Sequence, residues 1–271
     1  MDGDTFGAAT PVIGMVHLPP LPGAPRYDPE AGRAALHEAA RCDAERLADG
    51  GVDAVIVENF GDAPFYPERV PNHVVAELTA LAGTVREAAD CPVGVNVLRN
   101  DGPAAVAVAA AAGADFVRVN VHVGARVADQ GVLEGRAHET MRLRERIDTD
   151  VRLLADVDVK HSEPLATGDG EETLAEAATR GLADGIAVSG SHTGCATPLE
   201  TVEAAVERRD QRGLDVPVLV GSGVTANSVG DLLRVADGVI VGTALKEGAE
   251  TTNPVSVGRV KELVAAADQV R

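Results

Sequence analysis

The sequence predicts an α/β protein, a single (β/α)8 barrel over residues 1–271, and three observations predict it. Short runs rich in Val and Ile recur eight times. Each is followed by a Gly/Asn/Asp turn and an Ala/Leu/Glu-rich stretch of helical periodicity, and no Pro/Ser-rich or low-complexity linker breaks the alternation. A doubly wound open sheet is the other arrangement of such units. Against it, no GxGxxG follows the first run, and the terminal units carry no edge-strand chemistry.

Taken in order, VIGMVH from residue 12 is the first strand, and the helix after it opens at Pro29-Glu30 and closes at Gly50-Gly51. DAVIVEN from 53 precedes a helix opened by Pro71. VGVNVLRN from 93, DFVRVNV from 115, RLLADVDVK from 152 and GIAVSG from 185 are the next four strands. VPVLVGSG from 216 leads to ANSVGDLLRVA with Thr225 as its N-cap, and DGVIVGT from 237 leads to a last helix opened by Pro254.

A barrel gives each strand an inner and an outer face, and its active face is formed by the strand C-termini and their loops. Val93, Val95 and Val97 then face the helices while Asn96 faces in, and Val117, Val119 and Val121 face out while Arg118, Asn120 and His122 turn inward or to the mouth. In Ala155-Asp156-Val157-Asp158-Val159-Lys160 the two carboxylates and the ammonium fall on the inner side. Polar groups buried there without partners would cost about 1–3 kcal/mol each, and more for charges, so they pair with one another, a ligand, a metal or water. A self-satisfied layer of ion pairs inside the barrel is the alternative.

Two glycine turns end the last two strands, Gly221-Ser222-Gly223-Val224-Thr225 and Gly242-Thr243-Ala244. Their lack of side chains lets backbone N–H groups approach an anion at the position where barrels of this class commonly hold a phosphate, so Gly221, Ser222, Gly223, Gly242 and Thr243 are the phosphate candidates. Lys246 either assists them or is solvated. His17, before a Pro-rich loop, is placed as an acid, base or ligand, or as a packed hydrogen-bonding residue. Glu58 and Asn59 end the second strand. Asn59, Asn96, Arg99, Asn100, Arg118, Asn120, Ser189 and Gly190 supply donors and acceptors for a hydroxylated substrate, with loop solvation the alternative for Asp62, Arg99 and Asp101.

Lys160 is the only lysine that these strands would bury. It could form a Schiff base, but Asp156 and Asp158 beside it favour the charged form and an electrostatic role. Glu58, Asp156 and Asp158 are hard oxygen donors that could hold Mg²⁺ together. Ser191 and His192 end the sixth strand run, where the absence of a GxSxG elbow argues against a Ser/His/Asp hydrolase.

Composition narrows the partners. A formal charge of −18 repels nucleic-acid phosphates and anionic lipid. With no Trp, two Tyr and four Phe, aromatic stacking is a weak basis for ligand binding. Three lysines among 24 basic residues, with carboxylates such as Glu171, Glu172, Glu200 and Glu207 spread along helices, fit a halophilic cytoplasm or an ordinary acidic enzyme. Cys42, Cys91 and Cys195 lack metal-ligand spacing and fit a reducing cytosol, with Cys42 expected in the core. No basic N-terminal region precedes an apolar run, so a soluble cytoplasmic protein is expected.

GMVHLPPLPGAPRY, VENFGDAPF, GVNVLRND, ADFVRVNVHVGARVADQGVLEG, LADVDVKH, LVGSGVTANSV and DGVIVGTALKEG together resemble the BtpA/SgcQ family, from about Ile13 to Val260. The resemblance implies a TIM barrel of the ribulose-phosphate-binding type. The family takes its name from a cyanobacterial factor in photosystem I biogenesis, other members sit in bacterial sugar-utilisation contexts, and it implies no settled chemistry. His122, Ser191 and His192 stand where many relatives have other residues.

The expectation is therefore an enzyme acting on a small phosphorylated metabolite, a sugar phosphate or nucleotide-derived sugar. His17, Glu58, Asp156, Asp158 and Lys160 would move protons or stabilise an enediolate, as an isomerase, epimerase or aldolase requires. The alternative is a non-catalytic assembly factor. Barrels of this kind often pair, so a homo-oligomer is expected.

Overall fold

The computed structural model describes residue 6 and residues 8–157, 162–165, 170–190 and 196–271. All eight predicted runs form parallel strands that close into a barrel: β1 (Val12–His17), β2 (Ala54–Glu58), β3 (Val93–Asn96) and β4 (Phe116–Val119), then β7 (Arg152–Val157), β9 (Gly185–Val188), β10 (Val218–Val220) and β11 (Gly238–Val241), which pairs back onto β1. The outer helices are α1 (Gly32–Gly50), α2 (Asn72–Ala89), α3 (Gly102–Ala112), α4 (Ala137–Arg146), α5 (Gly170–Thr179), α6 (Leu199–Gln211), α7 (Val229–Leu233) and α8 (Val257–Ala267). The closed ring of hydrogen bonds rules out the open sheet.

Strand alternation divides the apolar residues into two cores. Val55, Val57, Val95, Val117, Val119 and Val157 pack outward against the helices. Inside the barrel sit Ile13, Met15, Ala54, Ile56, Phe116, Leu154, Ala187, Leu219 and Ile240, floored by Phe6, whose ring meets Phe116 edge-on at 5.2 Å. Phe116 is so large for this space that a Cβ on Gly94 would come within 2.3 Å of its ring.

Helix ends follow local chemistry. Gly51, at φ 90°, closes α1 and donates to Ala48 O, and Asp101 caps α3 by accepting from Ala104 N at 3.1 Å. Two expected starts move later in the chain. Thr225 is not the N-cap of α7, because its N–H is taken by Ser228 Oγ at 3.0 Å in a preceding turn, and Ser228 occupies the cap. Pro254 lies in extended chain, where Lys246 and Val255 form a β-bridge, so α8 begins only after Ser256.

One unit was not expected at all. The segment after β4 makes a hairpin of β5 (Ala125–Ala128) and β6 (Gly131–Glu134), and β8 (Ser162–Pro164) adds antiparallel to β5. Cys42 is also not a core residue, since it is half-buried on α1 with its thiol donating to Glu38 Oε1 at 3.2 Å.

Candidate active site

The inward residues at the strand C-termini are polar, and they line a cavity of about 960 Å³. β4 and β7 supply its most ordered part. Arg118 Nε donates to Asp156 Oδ1 at 2.8 Å, Arg118 Nη2 to Asp156 Oδ2 at 2.8 Å, and Asn120 Nδ2 to the same Oδ2 at 3.0 Å. This planar fork on a carboxylate is the geometry that arginine makes best. Burial pulls the Arg118 pKa down, and the adjacent Asp156 charge outweighs it, leaving the guanidinium above its ordinary range.

β1 and β2 place His17 Nε2 3.8 Å from Glu58 Oε1, and the Phe60 ring tilts against the imidazole with centroids 4.9 Å apart. Arg99 also lines the cavity. Burial lowers its pKa, opposed by the charges of Glu58, Asp156 and Asp129, which line the same cavity.

The two glycine turns come together at the far rim. The Gly221 N–H is engaged by Val188 O at 2.7 Å, so this residue contributes by its missing side chain: a Cβ there would be 2.7 Å from Ser189 Oγ and 3.2 Å from Arg118 Nη2. Gly223 takes φ 67°, and a Cβ on Gly242 would be 2.8 Å from His17 Cε1. No hydrogen bond among the described residues engages the N–H groups of Gly223, Val224, Thr243 or Ala244. Arg259, on α8, donates from Nε to Ala244 O at 2.7 Å and lines the same rim with no ion-pair partner among the described residues. That residue was missed in the sequence because nothing in a helical Val-Gly-Arg-Val run marks it as reaching a loop 15 residues earlier.

Of the expected site residues, His17, Glu58, Arg99, Arg118, Asn120, Asp156, Gly221, Ser222, Gly223, Gly242 and Thr243 meet in this cavity. Asn96, Ser189 and Gly190 lie beneath it. Asn96 Nδ2 donates to Arg118 O at 2.9 Å, Gly190 N donates to Ser222 Oγ at 3.2 Å, and Asn96 Oδ1 and Ser189 Oγ are buried without a hydrogen-bond partner among the described residues. Asn59 and Asn100 do not face the cavity. Asn59 accepts from Leu98 N at 2.8 Å and donates to Asp62, while Asn100 brackets Val121 through both its N–H and its carbonyl and donates to Glu134 O. Both satisfy backbone groups of neighbouring loops.

Lys246 does not assist the rim, and among the described residues it is a buried lysine that the sequence did not announce. It is 1% exposed, with Nζ 2.6 Å from Asp43 Oδ2 on α1, and burial lowers its pKa against the pull of Asp43. His122 is also outside the mouth, with Nε2 2.8 Å from Gly181 O, and burial lowers its pKa. Asp158, Lys160, Ser191 and His192 lie outside the described residues. Among the described residues no group of three or more His, Cys, Asp or Glu side chains is arranged to hold a metal ion.

A family model described as the BtpA family matches residues 8–269. The chain is 42% identical to a photosystem I biogenesis protein BtpA from Synechocystis sp., over 97% of this chain and 89% of that one. It is 44% identical to an uncharacterized protein of Thermococcus kodakarensis, over 96% of each. Among solved structures it resembles a thiamine phosphate pyrophosphorylase from Pyrococcus furiosus, with TM-score 0.59, 17% identity and coverage of 99% and 98%. It also resembles a Mycobacterium tuberculosis tryptophan synthase, with TM-score 0.59, 20% identity and coverage of 96% and 93%, and both likenesses are of fold alone.

Proposed function

The chain belongs to the BtpA family, and from that membership and the geometry of the mouth we propose an enzyme acting on a small phosphorylated metabolite, a sugar phosphate or nucleotide-derived sugar. The observation that carries this reading is the rim of unengaged N–H groups at Gly223, Val224, Thr243 and Ala244 with Arg259 beside it. Such N–H groups fit the three oxygens of a phosphate, and a guanidinium supplies the countercharge.

With its phosphate on that rim, the substrate extends over Asp156 and Glu58, and the reaction is of the isomerase, epimerase or aldolase type. A carboxylate takes the proton next to a carbonyl, and Arg118 and His17 stand where the oxygen of the resulting enediolate gains charge. Of the two described carboxylates, Glu58 is assigned as the base, beside His17 Nε2 at 3.8 Å, and Asp156 as the group that holds Arg118 and Asn120 in place. Asp158 and Lys160, further along the same chain segment, are assigned to the proton-transfer set with them, with Arg99 and Asn120 orienting the substrate and Asn96 and Gly190 holding Arg118 and Ser222 from beneath.

Thermal-shift measurement with a panel of sugar phosphates tests the reading. Stabilisation is expected, and Gly223→Asp abolishes it by placing a carboxylate where the phosphate binds. No stabilisation by any phosphorylated ligand refutes it. Once a substrate is known, Lys160→Ala retaining full activity removes that lysine from the mechanism.

A second reading, a non-catalytic assembly factor like the photosystem I biogenesis relative, is favoured by one observation. Val127, Val132 and Leu165 are exposed together on the small sheet of β5, β6 and β8. Recovery of a stoichiometric membrane complex with the tagged protein would support it over the enzyme.

A further inference from the structure

The cavity is larger and less uniform than a bare sugar phosphate requires. Its volume of about 960 Å³ lies near the top of the ~300–1,000 Å³ range of pockets that enclose drug-sized ligands. The polar rim of β10 and β11 accounts for one side only. Opposite stands an apolar wall, made by Leu18, Pro19 and Pro20 after β1, Phe60 and Phe65 after β2, and Leu98 after β3.

This wall is rigid. Leu18 N donates to Glu58 O at 2.8 Å, Gly61 N to Leu18 O at 3.0 Å, and Arg99 N to Tyr66 O at 3.0 Å, so the three loops are joined to one another. A Cβ on Gly61 would lie 2.3 Å from Pro20 N, which shows how closely the first two are pressed together. The chain has four phenylalanines, and Phe6 and Phe116 fill the barrel floor. The other two are partly exposed on the mouth, in a protein whose remaining surface is strongly acidic.

The tip of the β5–β6 hairpin also reaches the cavity. Asp129 and Gln130 line it, and the Asp129 charge opposes the lowering of the Arg99 pKa by burial. Gln130 Nε2 donates to Asp129 Oδ2 at 2.6 Å, while Gln130 Oε1 is buried and has no hydrogen-bond donor among the described residues.

We infer that the phosphorylated substrate carries a flat heterocyclic ring, which packs on the Phe60/Phe65 wall and offers a hydrogen-bond donor on its edge to Gln130 Oε1. The inference rests on the phosphate reading of the opposite rim for the other end of the substrate. A flat ring covers exposed apolar surface more fully than a hydroxylated sugar does, and aromatic faces accept any heterocycle without needing a specific pattern of donors.

Calorimetric titration of the full chain separates the two claims. The probes are ribose 5-phosphate, the 5′-monophosphates of adenosine, guanosine, cytidine and uridine, and the four unphosphorylated nucleosides. At least one monophosphate is expected to bind about tenfold more tightly than ribose 5-phosphate, the factor corresponding to about 1.4 kcal/mol. Phe65→Ala, on a partly exposed loop, brings that ratio toward one. If that variant does not fold, judged by circular dichroism, Gln130→Ala at the hairpin tip replaces it and is expected to narrow the differences among the four bases.

Ribose 5-phosphate binding as tightly as every monophosphate, or a ratio unchanged in both variants, overturns the ring subsite and leaves the phosphate reading standing. Nucleosides binding as tightly as their monophosphates, with no binding of ribose 5-phosphate, overturns the phosphate reading and supports the ring subsite. Absence of binding by every probe overturns both.

Discussion

Replacing Asp156 by Asn tests the electrostatic centre of the mouth most directly. The substitution keeps the shape of the side chain and removes its charge. Arg118 is only 6% exposed and holds that carboxylate through two bonds of 2.8 Å, with Asn120 adding a third at 3.0 Å. The neutral amide leaves a fully buried guanidinium without its countercharge, and its NH₂ group must face one of three donors. Breaking a buried pair on one side costs about 3–5 kcal/mol. At ~2–4 °C per kcal/mol for a chain of this size class, the melting temperature falls by roughly 6–20 °C. Urea unfolding followed by circular dichroism measures the loss. The double variant Arg118→Met/Asp156→Asn is expected to lose less than the sum of the two single variants by about 2 kcal/mol, because each single variant strands a partner that the double one does not. A loss below about 1 kcal/mol for Asp156→Asn, with additive single effects, would show that water screens the pair and refute the account of a desolvated site.

Three further outcomes are expected. His122 is buried with a lowered pKa, so its native form is neutral, with Nε2 donating to Gly181 O and Nδ1 lacking a partner among the described residues. The unfolded chain binds the proton first, so this contribution is present above about pH 6.5 and is lost, at up to about 1.4 kcal/mol per pH unit, as pH falls toward the lowered native value; His122→Gln flattens that slope in pH-dependent urea titrations. Gly94→Ala places a methyl 2.3 Å from the Phe116 ring and destabilises by about 1–3 kcal/mol, and Phe116→Leu in the same chain restores much of the loss in thermal melts. Raising KCl from about 0.1 M to about 1 M, which shortens the screening length from about 10 Å to about 3 Å, raises the melting temperature of a chain with charge −18, and a falling value would contradict self-repulsion as the dominant surface term.

The barrel was legible because its signals are local. Val/Ile runs ending in glycine turns locate the strands, and the period of two assigns Val95 outward and Asn96 inward without knowledge of the fold. The same parity brought Arg118, Asn120 and Asp156 into one site. What was not legible depends on contacts between loops. Asn59 and Asn100 read as substrate contacts because an amide in a turn looks alike whether it meets a ligand or a backbone N–H on another loop. Lys246 finds Asp43 across 203 positions, and β8 joins β5 across some thirty residues with no alternating pattern strong enough to announce it. The scarcity of aromatic residues pointed away from stacking, yet their number says nothing of where they gather, and Phe60 and Phe65 gather at the mouth.

Along five of the barrel strands the last inward apolar residue and the first polar or side-chain-free one are two positions apart: Met15 and His17, Ile56 and Glu58, Phe116 and Arg118, Leu154 and Asp156, and Leu219 and Gly221. A step of two residues is about 6.6 Å. Heritable change can therefore reach the upper tier of side chains while the tier that holds the barrel closed stays as it is. A lineage built on this arrangement can change the chemistry of its upper tier without rebuilding the barrel, provided that coupled partners such as Arg118 and Asp156 change together.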